Sequence, residues 1–344
     1  MFASQGAAMG FAVLGAGAWG TALAVHLSRA GHATTLVPRR QDHADQLIDH
    51  QENQDYLPGI YFPESLQVSV DLAAVLESAD TVFLGCPSVG LRDLCKKISA
   101  TGSLKLGADG HLIISLAKGL EKTSLEIPSK VAESALPGAM IGAFSGPSFA
   151  REIASGKPAA LVLSAPQASK ARQVETQTAL SNDNMRVYLS DDLVGVELGG
   201  CLKNIYAIAA GIMASLQLGS NASAAFLTRS LYEMVQLATR LGADPRTMYG
   251  LSGFGDLNAT CSDDQSRNRS FGRQIGTGES AESILNNQRS VVEGYWACEC
   301  FYRLCQRKGL EAPILSEIFA VLYEGKSAQK ALIDLMMRSL KEEH

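Results

Sequence analysis

The sequence predicts an α/β domain built on a mostly parallel sheet, followed by an all-α domain, on three observations. Eight short apolar or β-branched runs alternate with helix-length stretches as far as residue 190, the pattern of strands joined by crossover helices. The first run leads straight into a glycine cluster that opens a helix. From Asp191 the strand signal stops, and the remainder reads as helix. We divide the 344 residues accordingly into 1–190 and 191–344, since one core rarely serves a chain of that length.

Phe11 to Leu14 is the first strand, and Gly15, Gly17 and Gly20 follow in G-x-G-x-x-G spacing before the helix-like A-L-A-V-H-L. Gly15 permits a sharp turn, Gly17 lets the backbone approach a pyrophosphate, and Gly20 lets helix pack closely on strand. Free N–H groups of the first helical turn then face the phosphates, which makes the first domain Rossmann-like. Trp19, just before the third glycine, is expected to do part of both jobs open to it, packing over the cofactor and filling the helix–strand junction. Ala33 to Val37 is the second strand. An acid at its end would bind the ribose 2′-OH of NAD, but the chain has Arg39 and Arg40 there, two guanidinium groups suited to the 2′-phosphate of NADP. NADPH is the expected preference, with NADH allowed.

Further strands are expected at Gln67–Val70, Thr81–Cys86, His111–Leu116, Met140–Phe144, Ala160–Ser164 and Arg186–Leu189, with helices at Asp71–Ser78, Ser88–Ser99 and Pro166–Leu180. In such a sheet ligands sit beyond the carboxyl ends of the strands. Pro87-Ser88, Ala117-Lys118-Gly119 and Ser145-Gly146-Pro147-Ser148 fall at those ends, and Lys118 is placed to bind an anion.

The second domain opens with Leu193 to Met213, an apolar helix interrupted by Gly195, Gly199 and Gly200, glycines that let another backbone come close. Lys203 and Asn204 lie in its middle. A lysine buried there is rare unless paired or functional, so Lys203 is a catalytic or ligand-binding candidate. Gly250 to Asp264 reads as a glycine-rich functional loop leading to Ser266, Arg267 and Asn268, a forked cation beside a neutral donor that suits a phosphate. Val291 to Gly294 reads as a turn, and the helices from Ala297 onward as packing and oligomer surface.

Composition excludes several classes. With 46% apolar and 19% charged residues the chain can fill a globular core, and a net charge of -5 without a basic block argues against a nucleic-acid surface. Seven cysteines without a C-x-x-C imply reduced thiols rather than disulfides or zinc. No apolar run reads as long enough to span a bilayer, and Met1 to Gly10 lacks the basic start and apolar centre of a signal peptide, so the expected compartment is the cytoplasm.

Read in order, the motifs resemble the bacterial NAD(P)-dependent sn-glycerol-3-phosphate dehydrogenase family from about Phe11 to about Leu335. They are G-A-G-A-W-G-T-A-L from Gly15, N-Q-D-Y-L-P-G from Asn53, A-K-G-L-E from Ala117, S-G-P-S-F-A from Ser145, E-L-G-G-C-L-K-N-I-Y-A-I-A-A-G from Glu197, G-D-L-N-A-T-C-S from Gly255, S-R-N from Ser266 and V-V-E-G from Val291. The resemblance implies that Lys203 is the proton-transfer lysine. It implies a substrate site of Lys118, Gly146, Ser148, Lys203, Asp256, Ser266, Arg267 and Asn268. Cofactor contacts are implied for Ala18, Trp19, Arg39, Arg40, Lys118, Ala150, Arg267, Val291 and Glu293. It also implies a homodimer that interconverts dihydroxyacetone phosphate and sn-glycerol 3-phosphate for glycerophospholipid synthesis. Ala18 departs from a common serine and Ser230 from a common glycine.

On this reading Lys203 as an ammonium gives a proton to the alkoxide that hydride transfer creates, and as an amine takes it back. An ordinary lysine, with a pKa near 10.4, suits only donation; burial and Lys118 lower it while Asp256 opposes them. Two rival readings are a two-domain hydroxy-acid dehydrogenase, which needs a carboxylate pocket instead of S-R-N, and a non-enzymatic NADPH sensor, which has no need of Lys203.

Overall fold

A computed structural model describes residues 9–107, 109–287, 291–340 and 342. The reading of the leader therefore lies, but for Met9 and Gly10, outside the described residues. Strands β1 (Gly10–Leu14), β2 (Ala33–Val37), β3 (Leu66–Val68), β4 (Thr81–Leu84), β5 (Leu112–Ser115), β6 (Met140–Ser145), β7 (Ala159–Ser164) and β8 (Met185–Ser190) form one sheet in the order β3-β2-β1-β4-β5-β6-β7-β8. All eight expected strands are present. Every pairing is parallel except that of β6 with β7. Strand order reverses direction between β1 and β4, which opens the crevice where a nucleotide binds in such sheets.

Helices α1 (Ala18–Arg29), α2 (Gln41–His50), α3 (Leu72–Ser78), α4 (Ser88–Thr101), α5 (Pro128–Ala135), α6 (Ala150–Ala154) and α7 (Lys170–Leu180) cover the sheet. Strand alternation builds two cores. Val13, Phe83, Ile114 and Phe144 face α1, α6 and α7, while Leu14, Leu84, Ile113 and Ile141 face α3, α4 and α5. Burial on both faces explains why the central strands read as continuous apolar runs.

The reversed pair β7–β8 decides where the chain goes next. Through Ser164, Ser190 stands level with Ala143 of β6, and the chain then turns back alongside β6 as helix α8 (Leu193–Ser215). The helical remainder comprises α9 (Gly219–Arg240), α10 (Pro245–Met248), α11 (Asp256–Ser262), α12 (Arg267–Gly276), α13 (Ala281–Asn287), α14 (Glu293–Lys308), α15 (Pro313–Tyr323) and α16 (Ala328–Met336). Its centre is α8, enclosed by α9, α11, α12 and α14. Where α8 crosses α12 the backbones touch: a Cβ on Gly211 would lie 2.0 Å from the Arg269 carbonyl oxygen.

Three expectations need correction. The segment 250–264 is not an open loop, because Leu251–Gly255 is a π-helical turn running directly into α11. Glu293 and Gly294 are not a turn but open α14. Finally, α8 is long and apolar enough to cross a bilayer, at a mean hydropathy of 1.3; its glycines and Lys203 hid this, and it is instead the buried core helix of its domain.

Candidate active site

The glycine loop has the geometry its spacing predicts. Gly15 takes φ +126°, a left-handed value that favours glycine, and a Cβ on Gly20 would stand 2.0 Å from the Gly15 carbonyl oxygen. A Cβ on Gly17 would meet nothing within 4 Å, so the N-terminus of α1, which Gly17 caps, opens onto free space. That open cradle at a helix N-terminus fits a dinucleotide pyrophosphate. Ala18 begins α1 and Trp19 stacks on Phe144, with ring centroids 6.4 Å apart, so the indole fills the helix–strand junction. At the end of β2, Arg39 and Arg40 are both exposed; Arg40 Nε donates to Asp42 at 2.9 Å, and Arg39 has no carboxylate in ion-pair range among the described residues. Ala150 opens α6 just past the β6 turn.

The carboxylate of Asp256 is the hub of a second cluster. Lys118, beyond the end of β5, donates through Nζ to Asp256 Oδ2 at 2.7 Å and to the Gly146 carbonyl at 3.2 Å. Ser148 Oγ donates to that same carbonyl at 2.9 Å. From α8, Lys203 Nζ donates to Asp256 Oδ1 and, at 2.8 Å, to Thr260 Oγ1. Thr260, one turn after Asp256, passes its own hydrogen to the Asp256 carbonyl at 2.6 Å. One buried carboxylate thus holds two ammonium groups, one from each domain. Burial pushes the Lys203 ammonium down to about 8, Asp256 pulls against that, and Lys118 adds to the lowering.

Glycines on α8 make this approach possible. A Cβ on Gly199 would lie 2.3 Å from the Ser252 carbonyl oxygen, and one on Gly200 2.8 Å from Ser145 Oγ, so the helix lies directly against the turn that carries Asp256 and against the end of β6.

Beside the hub runs an amide relay. Asn204 donates to the Lys118 carbonyl at 3.3 Å, Asn268 Nδ2 donates to Asn204 Oδ1 at 2.9 Å, and the Gly294 N–H donates to Asn268 Oδ1 at 2.9 Å. Ser266 caps α12, accepting from the Arg269 N–H at 3.2 Å, and Arg267 is exposed at the first helical position. Ser266 and Asn268 therefore spend side-chain bonds on shaping the site, while Arg267 stays open to a ligand. Glu293, next to Gly294, has its carboxyl raised by burial, with Arg267, Lys118 and Lys203 opposing; Val291 lies just before α14.

The fold thus gathers Lys118, Gly146, Ser148, Lys203 and Asp256 into one cluster, joins Asn268 to it through the relay, brings the Glu293 carboxyl within the field of its lysines, and sets Arg39 and Arg40 apart at the end of β2. Asn204 and Thr260 belong to the cluster without having been assigned a role. The D-x-x-x-T spacing of Asp256 and Thr260 puts both on one helix face, a signal hidden by reading the segment as a loop.

Residues 10–171 match the model of the NAD-dependent glycerol-3-phosphate dehydrogenase N-terminus, and residues 192–333 that of the C-terminus. The chain belongs to this family. A glycerol-3-phosphate dehydrogenase [NAD(P)+] of Chlorobium limicola is 42% identical over 338 residues, covering 97% of this chain and 99% of the relative. One from Citrifermentans bemidjiense is 42% identical over 335 residues, at 96% and 98% coverage. The crystal structure of glycerol-3-phosphate dehydrogenase from Coxiella burnetii, 35% identical, superposes with a TM-score of 0.89 over 96% of this chain and 99% of that one. The Saccharomyces cerevisiae enzyme, 21% identical with a TM-score of 0.81, shares the fold. This dehydrogenase is accordingly an NAD(P)-dependent oxidoreductase acting on a CH–OH group, and the hydroxy-acid alternative is less supported.

Proposed function

We propose that this dehydrogenase reduces dihydroxyacetone phosphate to sn-glycerol 3-phosphate, reversibly and with NADPH preferred over NADH, to supply glycerophospholipid synthesis. The observation that carries the reading is the pair of ammonium groups, Lys118 and Lys203, held on the one Asp256 carboxylate. Residues 1–190 act as the nucleotide-binding domain and residues 191–344 as the substrate and dimerisation domain, a division supported by the sheet ending at Ser190 and by the family match resuming at 192.

In this mechanism the glycine loop offers its N–H groups to the pyrophosphate, Arg39 and Arg40 take the 2′-phosphate, and Ala150, Val291 and Glu293 line the cofactor path. Bound nicotinamide supplies the hydride to the substrate carbonyl, or accepts it in reverse. Arg267, with the open N–H groups of the first turn of α12, binds the substrate phosphate. Lys118 and Lys203 flank the carbonyl oxygen, where negative charge develops in the transition state. Lys203 donates the proton that completes the alcohol, while Asp256 and Thr260 hold its Nζ on line. An ammonium lowered to about 8 gives a proton readily at neutral pH and can take one back in mildly alkaline solution.

Free thiols at all seven cysteines agree with a reducing cytoplasm. The exposed Ile333, Met336, Met337 and Leu340 offer apolar surface to a homodimer, which light scattering at twice the 36.5 kDa chain mass would reveal. The deciding assay is steady-state oxidation of NADPH and NADH with dihydroxyacetone phosphate beside unphosphorylated dihydroxyacetone. Turnover that requires the phosphate is the expected result; equal turnover with both ketones, or none with either, overturns the proposal.

A further inference from the structure

The N-Q-D-Y-L-P-G motif has no part in the chemistry above, yet its first residue touches the glycine loop. Asn53 is 1% exposed, and both hydrogens of its amide are used inside the protein: one on the Ala16 carbonyl at 2.9 Å, the other on Thr21 Oγ1 at 2.8 Å. Its Oδ1 accepts from the Tyr56 N–H at 3.3 Å and its backbone carbonyl from the Leu57 N–H at 2.8 Å, so the amide is itself held by a fixed turn. Ala16 lies between the first two glycines of the fingerprint, and Thr21 follows the third.

A trans peptide is planar, with its C=O and N–H pointing in opposite directions. The peptide joining Ala16 to Gly17 has its carbonyl drawn inward by Asn53. The Gly17 N–H of that same peptide is therefore turned the other way, and it meets no acceptor among the described residues. We propose that Asn53 is a positioning residue for cofactor binding: by fastening the Ala16 carbonyl it aims the Gly17 N–H at the pyrophosphate before the cofactor arrives. Among side chains of this size only an amide donates two hydrogen bonds from one nitrogen, here to the loop and to the helix behind it. This rests on the reading that the glycine loop holds the pyrophosphate.

The test compares the affinity of the whole enzyme for NADPH, followed by nicotinamide fluorescence, with its affinity for adenosine 2′-monophosphate, which carries no pyrophosphate. Asn53→Ala leaves the Ala16 carbonyl unpaired and free to turn, so its NADPH dissociation constant is expected to rise about tenfold or more, with 2′-monophosphate binding unchanged. Thr21→Val, which keeps the bond to Ala16, is expected to stay within about threefold of wild type. Asn53→Asp keeps the acceptor for the Tyr56 N–H but loses the donors, and stands in should the alanine variant fail to fold. NADPH affinity within about threefold of wild type in a folded Asn53 variant overturns the proposal, as does equal weakening of both ligands. Failure of the wild-type enzyme to bind NADPH or NADH would overturn the pyrophosphate reading and this one with it.

Discussion

In the proposed mechanism the chemistry turns on Lys203. Its ammonium is lowered from 10.5 to about 8 because burial outweighs the attraction of Asp256. Oxidation of glycerol 3-phosphate needs the neutral amine, so its kcat/KM should climb as pH rises through about 8 and then level off. Reduction of dihydroxyacetone phosphate needs the ammonium and should fall over the same interval. Two pH–rate profiles, one per direction, check the sign; parallel profiles would remove Lys203 from proton transfer. Lys203→Met should lower turnover by roughly 10²–10⁴ while leaving NADPH affinity near wild type, since the lysine stands apart from the glycine loop. The sequence singles this residue out because a lysine inside an apolar, glycine-broken helix has so few harmless explanations. It could not give Thr260 or Asn204, whose roles follow from helix packing.

At the scale of elements, α8 is fastened to the sheet domain by Glu197. This buried carboxyl accepts from the backbone N–H of Ser129 at 2.8 Å and bonds the Ser129 hydroxyl, in the first turn of α5. Burial pushes it up to about 8, so at neutral pH it is largely a neutral acid. Glu197→Gln, of nearly the same shape, should therefore fold and turn over almost normally. Glu197→Ala orphans the Ser129 N–H and should cost about 1–3 kcal/mol in chemical denaturation. The sign of the pH effect follows from a raised folded-state value: below 4.5 the group adds no penalty, and stability is lost as pH rises toward 8. Wild type should lose stability relative to Glu197→Gln across that window, and a constant difference would count against a neutral acid. All eight strands were legible because each is a short apolar run closed by turn residues, whereas α2 and α5 passed unnoticed. Q-D-H-A-D-Q-L-I-D-H and P-S-K-V-A-E-S-A are short and polar, and the only large apolar side chains they bury are Leu47 and Val131, too few to mark a helix in the sequence.

Across the whole molecule, neither domain holds the site alone. Lys118 and the Gly146 carbonyl come from strand ends, Lys203 and Asp256 from the helices, and they meet only because the chain doubles back after β8. Fingerprint glycines and the Arg39-Arg40 pair suggest the first half from local spacing, whereas the grouping of Asp256 with Lys118 and Lys203 is implied only by the family resemblance, because it is a fact of topology over 138 and 53 residues of separation. The helix α8 consequently works as a ruler. Its zero mark is the cap at Asp192, whose carboxylate accepts from the Gly195 N–H at 2.9 Å and from Thr247 Oγ1 at 2.7 Å; its reading is the height at which Lys203 reaches Asp256. One residue inserted between Val196 and Cys201 would lift the lysine by about 1.5 Å and swing it about 100° away from Asp256. Such an insertion should abolish turnover, whereas one of equal size at the bend of Gln217 to Gly219, past the end of the ruler, should spare most of it. Measured rates of the two variants would show that the length of this segment is as much a part of the active site as any side chain on it.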